Sequence, residues 1–323
     1  MMHLRSFGLR LGVILLALPL LAAAPSGDVP RHFDSADAAV DALVAAVRAD
    51  DVAQLRMLFG QAGLKDLDAG DPVANAAQRE KFVAAYQAKH ATDVNGDTAI
   101  LSIGADDWPF PIPLKHSPQG WSFDVAAGRD EILDRRIGAN ELYTQQVVLA
   151  YVDAQNEYFQ GLHDGRKVHV YAQHLFSSPG KQDGLYWSTE EGHPPSPLGP
   201  LIAEARAGGY HPGENAEPQP YHGYYFHVLK GQGPHAIGGA YDYVANGLML
   251  GGFGLVAWPA QWGSTGVMTF VVNQDGEIYQ KDLGPTTPTI AKGMTQFDPD
   301  TTWQKVGAPA PIAGEADADD GGD

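Results

Sequence analysis

Residues 221–284 constrain the fold most. Residues 221–229 are dense in aromatic and β-branched side chains, as are residues 252–258 and 267–273. Such side chains fit a pleated, half-buried surface. Asp275-Gly276 stands between Val271-Val272 and Ile278-Tyr279. An Asp-Gly pair flanked by apolar runs predicts a hairpin, with a type I′ turn because both central residues then take positive φ. The region therefore reads as antiparallel strands joined by glycine turns.

Upstream, the apolar period changes to that of helices. Val40, Leu43, Val44 and Val47 recur at i, i+3, i+4 and i+7, behind a cap at Asp34 or Ser35. Leu55, Leu58 and Phe59 mark a second short helix, and Asp71-Pro72 opens a third bearing Phe82, Val83 and Tyr86. Strands are expected at residues 98–103 and 120–124, with an irregular, proline-rich edge at 108–114. A long helix is expected at 141–161, its stripe made by Val147, Tyr151, Ala154, Tyr158 and Leu162, ending at the Asp164-Gly165 turn. Loop-rich sequence fills 177–220, with a short helix expected at 198–207 and another at 289–295. The class is α+β. About 300 mature residues favour two domains.

The 221–284 stretch resembles the DUF2950 family, bacterial exported proteins with no assigned function. Residues 31–140, helices followed by a curved sheet, resemble NTF2-like (cystatin-like) domains. Residues 141–306, a long helix and an antiparallel sheet, are similar to the globular part of type IV pilin-like proteins. Tyr224, Phe226, Ala257, Pro259, Gly263, Thr265-Gly266, Thr269-Phe270 and Asp275-Gly276 carry that similarity. The helix departs from a pilin's: it is internal and amphipathic, with Gln145, Gln146, Asp153, Gln155, Asn156 and Glu157. The likeness implies a fold and not pilus assembly.

Residues 1–24 read as a secretory signal: Arg5 and Arg10, an apolar run over 11–21, then Ala22-Ala23-Ala24. The expected location is the periplasm or the external medium, with no stable membrane insertion after cleavage. The chain has no cysteine, which excludes disulfides and thiolate metal sites; a lipoprotein anchor is not expected. The formal charge of -18 becomes near -20 without Arg5 and Arg10. Such a surface repels nucleic acid and anionic lipid. Residues 307–323, Ala/Pro/Gly with five acidic residues, are expected to form a solvated, disordered tail.

No complete catalytic set is legible. Eight of the 12 histidines lie between His163 and His235, but His169/His174 and His222/His227 are each five apart, which puts a strand pair on opposite faces. No HExxH occurs, so no metal and no cofactor is expected. The run Asp93-Val94-Asn95-Gly96-Asp97 lacks the later ligands of a calcium loop. Gly263-Ser264-Thr265-Gly266 is not a nucleophile elbow. If an enzyme, the chain would use Asp106, Asp107, Tyr86, His90 and Arg135 at the mouth of the first domain, as a hydrolase or other small-molecule enzyme. The leading expectation is a non-catalytic envelope protein that binds a protein partner or a glycan. Its candidate binding residues are Lys181, Asp183, Tyr186, Trp187 and Glu191 of the insert, with Tyr221, Tyr224, Tyr225, Trp258 and Trp262 of the sheet. Flat rings beside a few polar groups suit such a surface.

Overall fold

The structure is a computed structural model that describes residues 30–68, 70–189, 195–212 and 219–307. The expected signal segment, Glu190-Glu191 and the acidic tail beyond Gly307 lie outside the described residues.

The described chain is α+β. Three helices come first: α1 (Ala36–Arg48), α2 (Val52–Leu67, interrupted at Gly60) and α3 (Pro72–Ala88). Ser35, Asp51 and Asp71 cap them, each accepting backbone N–H bonds from the first turn. A curved sheet follows, of β1 (His90–Asn95), β2 (Thr98–Ile103), β3 (Trp108–Pro109), β4 (Leu114–Ser117) and β5 (Gly120–Phe123), every pairing antiparallel. Leu43, Leu58, Phe59, Leu101, Ile112, Leu114 and Phe123 fill the space between helices and sheet. Residues 93–97, set aside above as a calcium loop, belong to the β1–β2 hairpin.

The long helix α4 (Val125–Gln160) starts sixteen residues before the expected 141. Asp124 caps it through Ala127 N at 3.1 Å. Gly128 is required there by packing: a Cβ would meet the Pro111 carbonyl oxygen at 2.4 Å. The expected stripe is buried as far as Tyr158, but Leu162 lies past the helix end and is 56% exposed.

The remaining elements are β6 (His174–Phe176), β7 (Gly184–Tyr186), α5 (Gly199–Ala207), β8 (Tyr224–Leu229), β9 (Gly231–Gln232), β10 (Tyr241–Asp242), β11 (Val244–Ala245), β12 (Leu248–Met249), β13 (Gly254–Pro259), β14 (Met268–Asn273), β15 (Tyr279–Asp282), α6 (Thr287–Lys292), β16 (Gln296–Phe297) and β17 (Gln304–Lys305). The main sheet runs β17-β15-β14-β13-β8, all antiparallel. β13 is buried on both faces. Leu255 and Ala257 join the core that holds Val148, Tyr151 and Val152 of α4, while Val256 and Trp258 join Ala291 of α6.

The 275–276 hairpin is present, but its turn is not type I′. Gly276 has φ 71°, whereas Asp275 is not among the positive-φ residues. The Gly276 N–H donates to Asn273 O at 3.0 Å and the Asp275 N–H to Asn273 Oδ1 at 3.2 Å. The Asn273 side chain thus closes an Asx turn and removes the need for positive φ at Asp275.

The middle of α4 ties both cores together. The Arg136 guanidinium donates to the carbonyls of Asp66, Leu67 and Asp68 at 2.9–3.1 Å, the C-terminal end of α2. Glu141 Oε1 accepts from the N–H groups of Val267 and Met268, both at 2.9 Å. Asn140 Nδ2 donates to Thr265 O at 2.9 Å. Tyr210, after α5, donates to the buried Asp71 at 2.8 Å, and the hydroxyls of Tyr143 and Tyr221 lie 2.7 Å apart. Burial pushes the Tyr221 phenol up to about 12.

Candidate functional site

A pocket of about 190 Å³ opens where the chain leaves α4. One of its walls is a segment laid along the helix. Gln155 is fully buried and uses its amide as a strand would. Its Nε2 donates to Ala172 O at 2.8 Å and to the Tyr151 hydroxyl at 3.0 Å, while its Oε1 accepts from Ala172 N at 2.9 Å. That anchor holds the segment around Ala172 against the helix, just before β6 begins at His174. Tyr171 N donates to Met249 O at 2.9 Å, which brings β12 to the pocket's other side.

The opposite wall is the 177–183 loop. β6 and β7 pair in parallel, and the loop closes over them through Ser177 Oγ, which accepts from Gly184 N at 3.0 Å. Gly184 is needed because a Cβ would meet the backbone of Phe176 and Ser177 at 2.7 Å. Asp183 accepts from Ser178 N at 2.7 Å and from Ser178 Oγ at 2.9 Å. Burial acts to raise its pKa, but these Ser178 bonds outweigh it and the carboxyl sits below the ordinary aspartate value. The loop docks on the helix end through the Tyr158 hydroxyl, which donates to Gln182 O at 2.5 Å, and through Asp164 Oδ1, which accepts from Gln182 N at 2.8 Å.

The pocket thus has a polar rim of Arg166, Gln173, His174 and Asp183 and an apolar side of Val170, Leu248 and Met249, with Tyr158 and Tyr171 between them. Burial raises both phenols, so both rings are neutral hydrogen-bonding groups at neutral pH. Arg166 lies 3.6 Å from Asp164 and also donates toward the Tyr158 hydroxyl. His163, expected at a helix end, stacks on Tyr158 at 3.8 Å and bonds its carbonyl at 2.8 Å.

A family model described as protein of unknown function (DUF2950) matches residues 30–306. The chain belongs to the DUF2950 family. No curated protein and no solved structure matches it.

The structure of this DUF2950 chain brings only part of the expected binding set together. Asp183 lines the pocket, and Lys181 is exposed on the same loop. Trp187 lies beside it, its ring 6.3 Å from Tyr158 and 5.6 Å from His163. Tyr186 faces the other way, against Phe176 and the Arg206 guanidinium, which donates to its hydroxyl at 2.9 Å. The sheet aromatics stand apart. Tyr224 is fully buried with its hydroxyl on Met268 O, and Trp258 is 5% exposed beneath α6, beside Tyr225. They are core residues rather than the exposed rings expected from sequence, because Tyr224 joins the core under α4 and Trp258 the one under α6. Trp262 is 36% exposed in the β13–β14 turn and donates to Asp282 at 2.8 Å. Tyr221 packs at the α4 junction against Tyr143 and Tyr210.

Four of the five residues named for catalysis are engaged with neighbours of their own. Asp106 and Asp107 are exposed, and Asp107 pairs with Lys89 at 2.6 Å. His90 stacks on Tyr86 one helical turn back, with Nδ1 2.9 Å from the Tyr86 carbonyl. Burial raises the Tyr86 phenol. Arg135 bonds Glu131 at 2.6 Å and the Pro109 carbonyl at 3.0 Å, and covers the Trp108 ring. Among the described residues no group of three His, Asp or Glu side chains is placed to hold a metal ion, and no helix is long and apolar enough to cross a membrane.

Sequence reading missed Arg166, Tyr158, Tyr171 and Gln155 as site residues. Gln155 was legible only as a polar residue on an amphipathic helix. The one available signal was its place on the buried side of the turn occupied by Tyr151 and Tyr158.

Proposed function

We infer that this is an exported, non-catalytic protein of the cell envelope, periplasmic or secreted, that recognises a protein partner or glycan through its C-terminal half. The observation that carries this reading is the pocket at the end of α4. It combines tyrosine walls, a fixed carboxylate and a half-buried tryptophan alongside. Small-molecule and side-chain recognition sites share that mixture of apolar wall and few oriented polar groups. The signal-like residues 1–24 and the acidic surface support export and argue against nucleic acid as the partner.

The same reading treats residues 31–140 as an NTF2-like domain and residues 141–306 as a pilin-like helix-plus-sheet domain. Helix-then-sheet order supports the first. The packing of α4 on an antiparallel sheet supports the second.

The test is cosedimentation of the purified protein with the insoluble envelope fraction of its host. Saturable binding is expected, and a Trp187→Ala/Asp183→Ala double variant with an unchanged circular dichroism spectrum should lose most of it. Undiminished binding by that variant would remove the pocket from the reading.

A further inference from the structure

We propose that the pocket at the end of α4 takes the neutral hexose ring that ends a glycan. This rests on the reading of the pocket as a recognition site, and names what is recognised.

Hydrogen-bonding capacity comes first. Val170 and Met249 are buried, so the opening presents the polar side chains of Arg166, Gln173, His174 and Asp183 with the phenols of Tyr158 and Tyr171. These groups differ in sense. Arg166 only donates, ionised Asp183 only accepts, and the phenols, the Gln173 amide and the His174 ring can do either. Some of that capacity is spent within the chain. Ser178 donates twice to Asp183, Gln173 Nε2 donates to Gly247 O at 2.8 Å, and Tyr158 donates to Gln182 O. The Tyr171 hydroxyl and the His174 ring make no hydrogen bond among the described residues. A ligand for such a lining must donate and accept at neighbouring positions. A ring of hydroxyls does so, since each hydroxyl is both donor and acceptor. An apolar ligand would strip water from these groups and replace none of its bonds.

Charge comes second. Arg166 and Asp183 offset each other on the lining, and Asp164 holds Arg166 at 3.6 Å from outside the pocket. That pair draws in neither an anion nor a cation, and a neutral ligand meets no uncompensated charge.

Size comes third. The volume, about 190 Å³, falls below the roughly 300 Å³ at which drug-sized ligand pockets begin, which leaves room for one sugar ring and not for a chain of them. A second ring must lie outside, where the half-buried Trp187 stands 6.3 Å from the Tyr158 ring. A flat indole there suits the apolar face of that second sugar. This neighbour favours the end of a glycan over a free monosaccharide.

The experiment is an NMR titration of the full-length protein, following the His174 ring signal assigned through His174→Gln. The probes are the methyl glycosides of glucose, galactose and mannose, the disaccharides cellobiose, lactose and mannobiose, and glycine as a small zwitterion. At least one methyl glycoside should shift the signal saturably, and its disaccharide should bind several-fold more tightly. Arg166→Ala and Asp183→Asn should each weaken that binding at least tenfold. Trp187→Ala should remove the advantage of the disaccharide and leave the methyl glycoside unchanged. Sugar binding undiminished in both rim variants would overturn the assignment, as would glycine binding more tightly than every sugar. A disaccharide no tighter than its methyl glycoside would overturn the glycan end and leave a free-sugar site. No shift from any sugar overturns the hexose assignment, and envelope cosedimentation then decides the broader reading independently.

Discussion

Two arginines thirty residues apart on and just beyond α4 show how one residue type serves two ends. Arg136 is tied into the fold through both terminal nitrogens. Three backbone carbonyls of α2 accept from it, and Ser264 Oγ lies 3.5 Å away. Its neighbours Asn140 and Glu141 bond the β13–β14 turn. Arg166 meets one carboxylate at long range and one phenol, beside Asp183 on the pocket rim. Polar groups whose valences are all filled within the chain hold a fold together. Groups left partly unfilled at a concave surface are what a ligand completes.

The sharpest way to break this contrast is to remove each arginine. Arg136→Ala strips the charged donors from three helix-end carbonyls in a partly buried place and should cost about 3 kcal/mol of stability in urea unfolding. Arg136→Lys should recover little of that, since a point charge cannot span three carbonyls. Equal losses for Arg136→Ala and Arg166→Ala would erase the distinction.

Gln155→Ala comes next. It leaves the buried Ala172 N–H and C=O without partners and should cost about 2 kcal/mol. Its hydrogen–deuterium exchange signature should be concentrated in residues 168–174, because the amide is what holds that segment on the helix. Exchange spread evenly over the molecule would mean that the segment is held otherwise. Arg166→Ala should cost under about 1 kcal/mol, as expected of a partly exposed, long ion pair, while changing envelope binding measurably.

The smallest effect is a pH dependence. The folded-state pKa of Asp183 is depressed, so its stabilisation is present above the ordinary aspartate value of 3.8 and is lost as pH falls through the lower folded value. Wild type and Asp183→Asn should therefore differ most in thermal stability above pH 4 and converge below it. A gap that widened toward acid would contradict the assignment of Ser178 as the stabilising partner.

Much of the fold was legible because it is written in local pattern. The apolar faces of α1 and α4, the caps at Ser35 and Asp71, and the strands β8, β13 and β14 follow from periodicity and backbone preference. The class α+β and the antiparallel sheet came from the same source, and the resemblance to DUF2950 rested on residues 221–284, within the matched 30–306. The errors arose where a distant contact overrode a local signal. The long helix begins at Val125 rather than 141, and its first turns pack at Gly128 against Pro111 and Ile112. Asp275 avoids positive φ because Asn273 caps the turn.

The site divides along the same line. Sequence alone determined that the 177–187 loop carries a lysine, an aspartate and two aromatics, since composition needs no neighbours. Only tertiary structure decided that Asp183 faces Tyr158, Tyr171 and Arg166 while Tyr224 and Trp258 vanish into the core. Burial and pairing are properties of segments far apart in the chain: residue 155 fixes residue 172, and residue 171 meets residue 249. No window of local sequence contains both members of such a pair.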